Sequence, residues 1–289
     1  MNKQQRDASI FAILLLLIGG LTVFCLLAGG ALGIAMLISP KSDTPTDSAP
    51  PATDAPSAPS ASLIPNVTLA EGPDAGMEYI DRMIFFGEST TAHLASRGVL
   101  SGGTDTQQVW KDSSGTKRLS SALLSETVIY PPTGEHLTIS EALAKEQPEY
   151  IVLSFGLNGI TDFVANKDSY VRNYNSLINA IQAASPNTRI ILQSIYPVTA
   201  SCNTWNEDST TISDYTRILN QLLPEIAAAH ENVRYVNTAE VLTDGTGCLD
   251  IGFDASGDGI HLSKSAYEQI IYYLRTHPWQ ETSERNETT

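Results

Sequence analysis

The chain has 289 residues, 32 acidic against 17 basic, with a formal net charge of −15 and a hydrophobic fraction of 42%. Such a length accommodates one sizeable domain with appendages, because a domain of about 100 to 250 residues buries its own core. The acidic balance argues against nucleic acid and anionic lipid surfaces as partners, since both require a basic face; no CxxC or HExxH spacing occurs to hold zinc, and neither metal nor cofactor is expected.

From Ala8 to Pro40 there is no charged residue. A helix needs about 20 apolar residues to cross a bilayer, so residues 8–39 are expected as a transmembrane helix. Their apolar run exceeds the roughly 7 to 15 residues of a cleavable signal, and Cys25 follows Phe24, where a lipoprotein signal wants a small residue. Lys3 and Arg6 precede the span and only Lys41 closely follows it. That bias puts residues 1–7 in the cytoplasm and the rest of a single-pass chain outside the cell. Residues 40–66 are mostly Pro, Ser, Ala, Thr and Asp without an aromatic, a composition that cannot offset the entropy of ordering and reads as a disordered tether. The folded domain is expected over residues 67–279, with a disordered tail at 280–289.

Beyond Met77, short apolar runs alternate with longer amphipathic ones, as in a parallel sheet with crossover helices. Strands are predicted at 83–86, 127–130, 150–155, 189–195 and 233–236, and helices at 91–99, 139–146, 169–184, 212–230 and 264–276. The fold class is therefore α/β, a three-layer α/β/α sandwich on a five-stranded parallel sheet. Residues 107–117, centred on Asp112-Ser113-Ser114-Gly115, read as a hairpin inserted between the first helix and the second strand.

Open sheets of this kind bind ligands beyond the carboxyl ends of their strands. Gly87-Glu88-Ser89-Thr90 stands at the end of the first predicted strand, Gly156-Leu157-Asn158-Gly159 at the end of the third, and Asp258-Gly259-Ile260-His261 before the last helix. A serine hydroxyl attacks only when a base takes its proton, which imidazole does near neutral pH. His261 is the candidate base, Asp258 the group that fixes its tautomer, and Asn158 an amide donor for an oxyanion beside the Ser89 N–H. Plainer readings exist for each: Ser89 as a helix N-cap, Asn158 and Asp258 as turn residues, His261 as a surface histidine. His93 lies about one helical turn from Ser89 and reads as an ordinary packed or exposed helix residue. The second glycine of a Gly-x-Ser-x-Gly elbow is replaced by Thr91, which argues against an α/β-hydrolase.

In this order the residues resemble the SGNH or GDSL-like hydrolase family, whose blocks run Gly-Asp-Ser, a middle glycine, Gly-x-Asn-Asp, and Asp-x-x-His. The resemblance spans roughly residues 81–276 and implies a flavodoxin-like arrangement of the sheet. It also implies Ser89 as nucleophile, Asn158 as oxyanion donor, and Asp258 with His261 as acid and base. Gly134 is assigned as the middle glycine, with Gly102, Gly103 and Gly115 as alternatives. Two positions depart from the family: Glu88 replaces the aspartate of the first block and Gly159 the aspartate after Asn158, with Asp162 as a possible substitute. The resemblance and the anchor together imply an extracytoplasmic esterase removing a small acyl group, with a cell-envelope carbohydrate as the expected carrier. Acyl transfer through the same residues, or a non-catalytic surface binding module, are the alternatives. Cys202 and Cys248 are expected to be bridged outside the cytosol, and Trp205 either covers the core edge or stacks on a sugar at the mouth of the site.

Overall fold

In the computed structural model the described residues are 67–204 and 209–280. The expected segments 1–7, 8–39 and 40–66, Trp205, and the tail from 281 lie outside them. Among the described residues no helix is long and apolar enough to cross a membrane. In chain order the elements are α1 (Gly76–Ile80), β1 (Met83–Gly87), α2 (Ser89–Arg97), β2 (Val109–Trp110), β3 (Thr127–Tyr130), β4 (Glu135–Thr138) and α3 (Ile139–Glu146). There follow β5 (Tyr150–Ser154), α4 (Ile160–Ala165), α5 (Lys167–Ala184), β6 (Arg189–Gln193), α6 (Ser209–Ala228), β7 (Val233–Val236) and α7 (Lys264–Thr276).

Every side chain of β1 and β5 is buried, as befits strands covered on both faces. The five-stranded sheet has the order β2-β1-β5-β6-β7, all pairs parallel. Alternation along the strands sends Ile84, Phe86, Ile151 and Leu153 into one apolar cluster with residues of α3, α4, α5 and α6. Met83, Phe85, Tyr150 and Val152 enter a second cluster with residues of α1, α2 and α7. Helices thus cover both faces, and each large apolar side chain so buried contributes about 1.5–3 kcal/mol relative to exposure. Renumbered by position in the parallel sheet, the order is 2-1-3-4-5, whose topological switch point falls between β1 and β5.

One predicted strand belongs elsewhere. Thr127–Tyr130 pairs antiparallel with Glu135–Thr138 in a separate hairpin, and the fifth strand of the parallel sheet is Val109–Trp110, inside the segment expected to be an inserted hairpin. The reason is visible in the burial: β3 alternates buried and half-exposed side chains, which suits a hairpin covered on one face, whereas both β2 residues are buried. β4 is polar and β2 has only two residues, so neither produced an apolar run. The N-terminus of α3 is closed by a capping box between Thr138 and Glu141. Helix α2 starts at Ser89, two residues before the predicted start, and the six-residue α4 was not anticipated.

Candidate active site

At the end of β1, Gly87 is forced by close approach: a Cβ there would collide with Thr91 Oγ1 and the carbonyl of Ser154 on β5. The chain then turns through Glu88 into α2. Glu88 occupies the N-cap position without a side-chain cap bond, so the first N–H groups of α2, starting with Ser89, face outward uncapped. Its carboxylate goes the other way. It is 3% exposed and accepts the backbone N–H groups of Gly156 (2.9 Å), Leu157 (3.1 Å) and Asn158 (3.0 Å). Burial pushes its pKa up to about 7 against those three hydrogen bonds and the nearby Arg118 charge. The residue preceding Ser89 therefore carries the loop bearing Asn158 across the switch point.

The Asn158 amide nitrogen donates one hydrogen bond to the carbonyl of Lys117 at 3.2 Å. An amide has two such protons, and pinning one aims the other. Lys117 is itself fixed, its ammonium 5% exposed between Asp112 (2.9 Å) and Glu126 (2.8 Å). Gly159, at φ +92°, is the next departure from the family pattern. A Cβ at this position would collide with the Arg118 guanidinium, which lies across it and pairs with Asp162 at 2.6 Å. The bracing aspartate is thus absent from position 159, and Asp162 holds an arginine there instead.

His261 arrives from the loop before α7. Its Nδ1 lies 2.6 Å from Asp258 Oδ2 and its Nε2 3.3 Å from Ser89 Oγ. The other Asp258 oxygen accepts the N–H groups of Ile260 and His261, both at 2.9 Å. Burial pushes Asp258 upward, but the His261 side-chain bond, the two backbone bonds and the imidazole charge outweigh it and hold the carboxyl far below its usual range. A hydrogen bond from His261 Nδ1–H to that carboxylate leaves Nε2 as the acceptor facing the serine. The Nε2 to Oγ distance is long for such a bond, as is common before substrate binds.

The structure therefore brings Ser89, Asp258 and His261 into one hydrogen-bonded chain, with Asn158 suspended from Glu88 beside it. Gly134 is not among them. It lies in the β3–β4 turn at φ +72°, gives its N–H to the Tyr130 carbonyl at 2.8 Å, and has nothing within 4 Å of where a Cβ would stand. The loop after β3 is a local hairpin turn that engages this N–H, and the segment that packs on α2 and meets the Asn158 amide is 112–118. There Gly115 sits against Ala92 of α2, and its N–H is taken by Asp112 Oδ1 at 2.8 Å, so it offers no free donor either. His93, read from sequence as an ordinary helix residue, packs its ring against that of His261; its spacing of four from Ser89 was the available signal. Cys202 and Cys248 are free thiols, directed at Thr204 Oγ1 and Ser213 Oγ respectively, each at 3.6 Å. The expected bridge is not formed.

A parallel sheet with a serine, a histidine and a carboxylate in series at its switch point defines a serine ester hydrolase. The chain belongs to the GDSL-like Lipase/Acylhydrolase family, whose profile it matches over residues 85–269. No curated protein matches the chain. Among solved structures, it is similar to a carbohydrate esterase family 3 protein from Talaromyces cellulolyticus at 14% identity and TM-score 0.42, over 67% of this chain and 93% of that one. It is also similar to a family 3 carbohydrate esterase of Clostridium thermocellum (17% identity, TM-score 0.37, 68% and 93% covered). A third is the periplasmic domain of a lipopolysaccharide acetyltransferase from Salmonella ser. Paratyphi A (14%, 0.40, 71% and 84%). The family assignment rests on the sequence match and not on these likenesses.

Proposed function

We propose that the chain is an extracytoplasmic esterase that removes a small acyl group from a cell-envelope carbohydrate through an acyl-enzyme on Ser89. The observation that carries the reading is the relay from Asp258 through His261 to Ser89. His261 Nε2 takes the Ser89 proton as Oγ attacks the ester carbonyl carbon. The resulting oxyanion is met by the Ser89 N–H and the Asn158 amide. Collapse of this intermediate breaks the ester bond, and the alcohol leaves with the proton held by His261. Water then repeats the sequence, with His261 again as base, and releases the acid.

The Glu88 and Gly159 departures do not weaken this reading, because Glu88 braces the Asn158 loop and Gly159 makes room for Arg118. The small acyl group and the carbohydrate carrier both rest on the family resemblance and on an outward-facing location. An outward-facing location is supported by the uncharged segment 8–39 and the tether 40–66.

The test compares p-nitrophenyl acetate with longer acyl esters, and acetate release from an O-acetylated polysaccharide, in wild type, Ser89→Ala and His261→Ala. Fastest turnover of acetate, with both variants folded by circular dichroism and slower by about a thousand-fold or more, is the expected result. Equal inactivity of all three proteins on every ester would sink the reading.

A further inference from the structure

His261 is held at its two edges, by Asp258 at Nδ1 and by Ser89 at Nε2. Contacts on opposite edges leave a ring free to rock about the line joining them, and the terminal torsion of histidine is intrinsically broad. The plane of the imidazole must then be set by whatever touches its faces. His93, one turn along α2 from Ser89, supplies such a contact: the two ring centroids are 4.7 Å apart with planes inclined at 43°. Its Nδ1 is buried without a hydrogen-bond partner among the described residues, a cost that an apolar ring at this position would not carry.

We propose that His93 is a positioning residue whose ring, laid against the face of His261, keeps the base in the plane from which it reaches Ser89 and Asp258 together. The inference rests on the reading of His261 as the base for Ser89. The charge on His93 then matters as well. Burial lowers its pKa first, followed by the positive charges of His261, Arg97 on the same helix and Lys111 beyond β2; Asp258 opposes them. When His261 takes the serine proton it becomes a cation in contact with His93, and a second cation there opposes that step.

The experiment is the rate at which diisopropyl fluorophosphate labels Ser89, followed by mass spectrometry from pH 4.5 to 8 in wild type, His93→Ala and His93→Phe. Oγ attacks phosphorus and fluoride leaves, so the readout needs the relay but no natural substrate. Alanine is expected to slow labelling by about ten-fold or more, and phenylalanine to restore it to within about three-fold. If alanine fails to fold, His93→Leu, which keeps bulk without a flat ring, is expected to slow labelling in the same way and decides in its place. Wild-type labelling in His93→Ala or His93→Leu overturns the proposal. A phenylalanine variant as slow as alanine also overturns it, by making the ring nitrogen the requirement. Normal labelling without hydrolysis of any small ester would instead sink the proposed substrate and leave His93 in its role, whereas no labelling of wild type at any pH would overturn the catalytic reading itself.

Discussion

Glu88 and Asp258 are the two carboxylates that hold the site in place, the first acting across 68 to 70 residues of sequence and the second across two or three. Glu88 is buried and ties three successive amides of the loop after β5. The side chains of Asp258 and His261 are 40% and 29% exposed, and the hydrogen bonds of Asp258 stay within its own turn. Their ionisation is displaced in opposite directions, upward for Glu88 and downward for Asp258. The nucleophile half is thus positioned by the packed sheet and the base half by a local turn, so damage to the first should reach stability and damage to the second activity alone.

The sharpest way to separate the halves is Asp258→Asn. Its Oδ1 can still accept the Ile260 and His261 amides, but an NH2 now faces His261 Nδ1 and drives the imidazole proton to Nε2, where it cannot accept from Ser89. The expected result is a loss in kcat of about a hundred- to ten-thousand-fold, with the melting temperature nearly unchanged. A melting loss comparable to that of a core substitution would break the comparison.

Glu88→Gln should do the reverse in proportion. A glutamine offers one acceptor oxygen and sets an NH2 group against a backbone donor, so a stability loss of roughly 1–3 kcal/mol is expected, with slower turnover because Asn158 loosens. The pH dependence supplies the sign. Between about 4.5, where the unfolded carboxyl titrates, and about 7, the folded chain keeps a proton that the unfolded chain has released. Stability from this group is therefore complete below that window and is lost as pH rises through it, by an amount on the order of 3 kcal/mol. Denaturant titrations at pH 4.5 and 7.5 should show that slope in wild type and its reduction in Glu88→Gln. Asp258 acts with the opposite sign, but its side chain is 40% exposed and screened by solvent, so its stabilisation, present above its ordinary range and lost only in strong acid, is small.

The smallest effect is expected from Gly159→Asp, which restores the family residue. The left-handed backbone there costs about 1–2 kcal/mol for a residue with a Cβ, and the new side chain must displace Arg118 from Asp162. A few-fold fall in kcat, with a melting shift smaller than that of Glu88→Gln, would place this residue at the rim of the buried half. A gain in activity would show that Arg118 obstructs the site.

Much of this was legible because strand ends are marked by apolar runs: Ser89, Asn158 and the Asp258 to His261 turn were located at loops that the fold brings together. The helices of residues 139–146 and 264–276 coincide with those observed because their caps, Thr138 and Ser263, precede regular amphipathic runs. What escaped was short or depended on distant partners. Val109–Trp110 is too brief to show a period, and its neighbour in the sheet is fixed only by the pairing with β1. Gly134 reads as better placed than Gly115 because it follows a predicted strand; the pairing of that strand into a local hairpin, which no sequence pattern announces, turns its N–H inward instead. The contact of His93 with His261 joins residues far apart in the chain, and helical spacing from Ser89 could suggest it but not establish it.

The burial of Lys117 makes ionic strength act on this molecule unevenly. Exposed pairs such as Arg82–Glu149 and Lys145–Glu135 weaken as counter-ions crowd within a Debye length of about 8 Å at physiological salt. The Lys117 ammonium, with 5% of its side chain accessible, is out of their reach. Since the carbonyl of the same residue aims the Asn158 amide, the oxyanion side of the site feels the salinity of its surroundings only through Asp112 and Glu126, and less than the outer surface does.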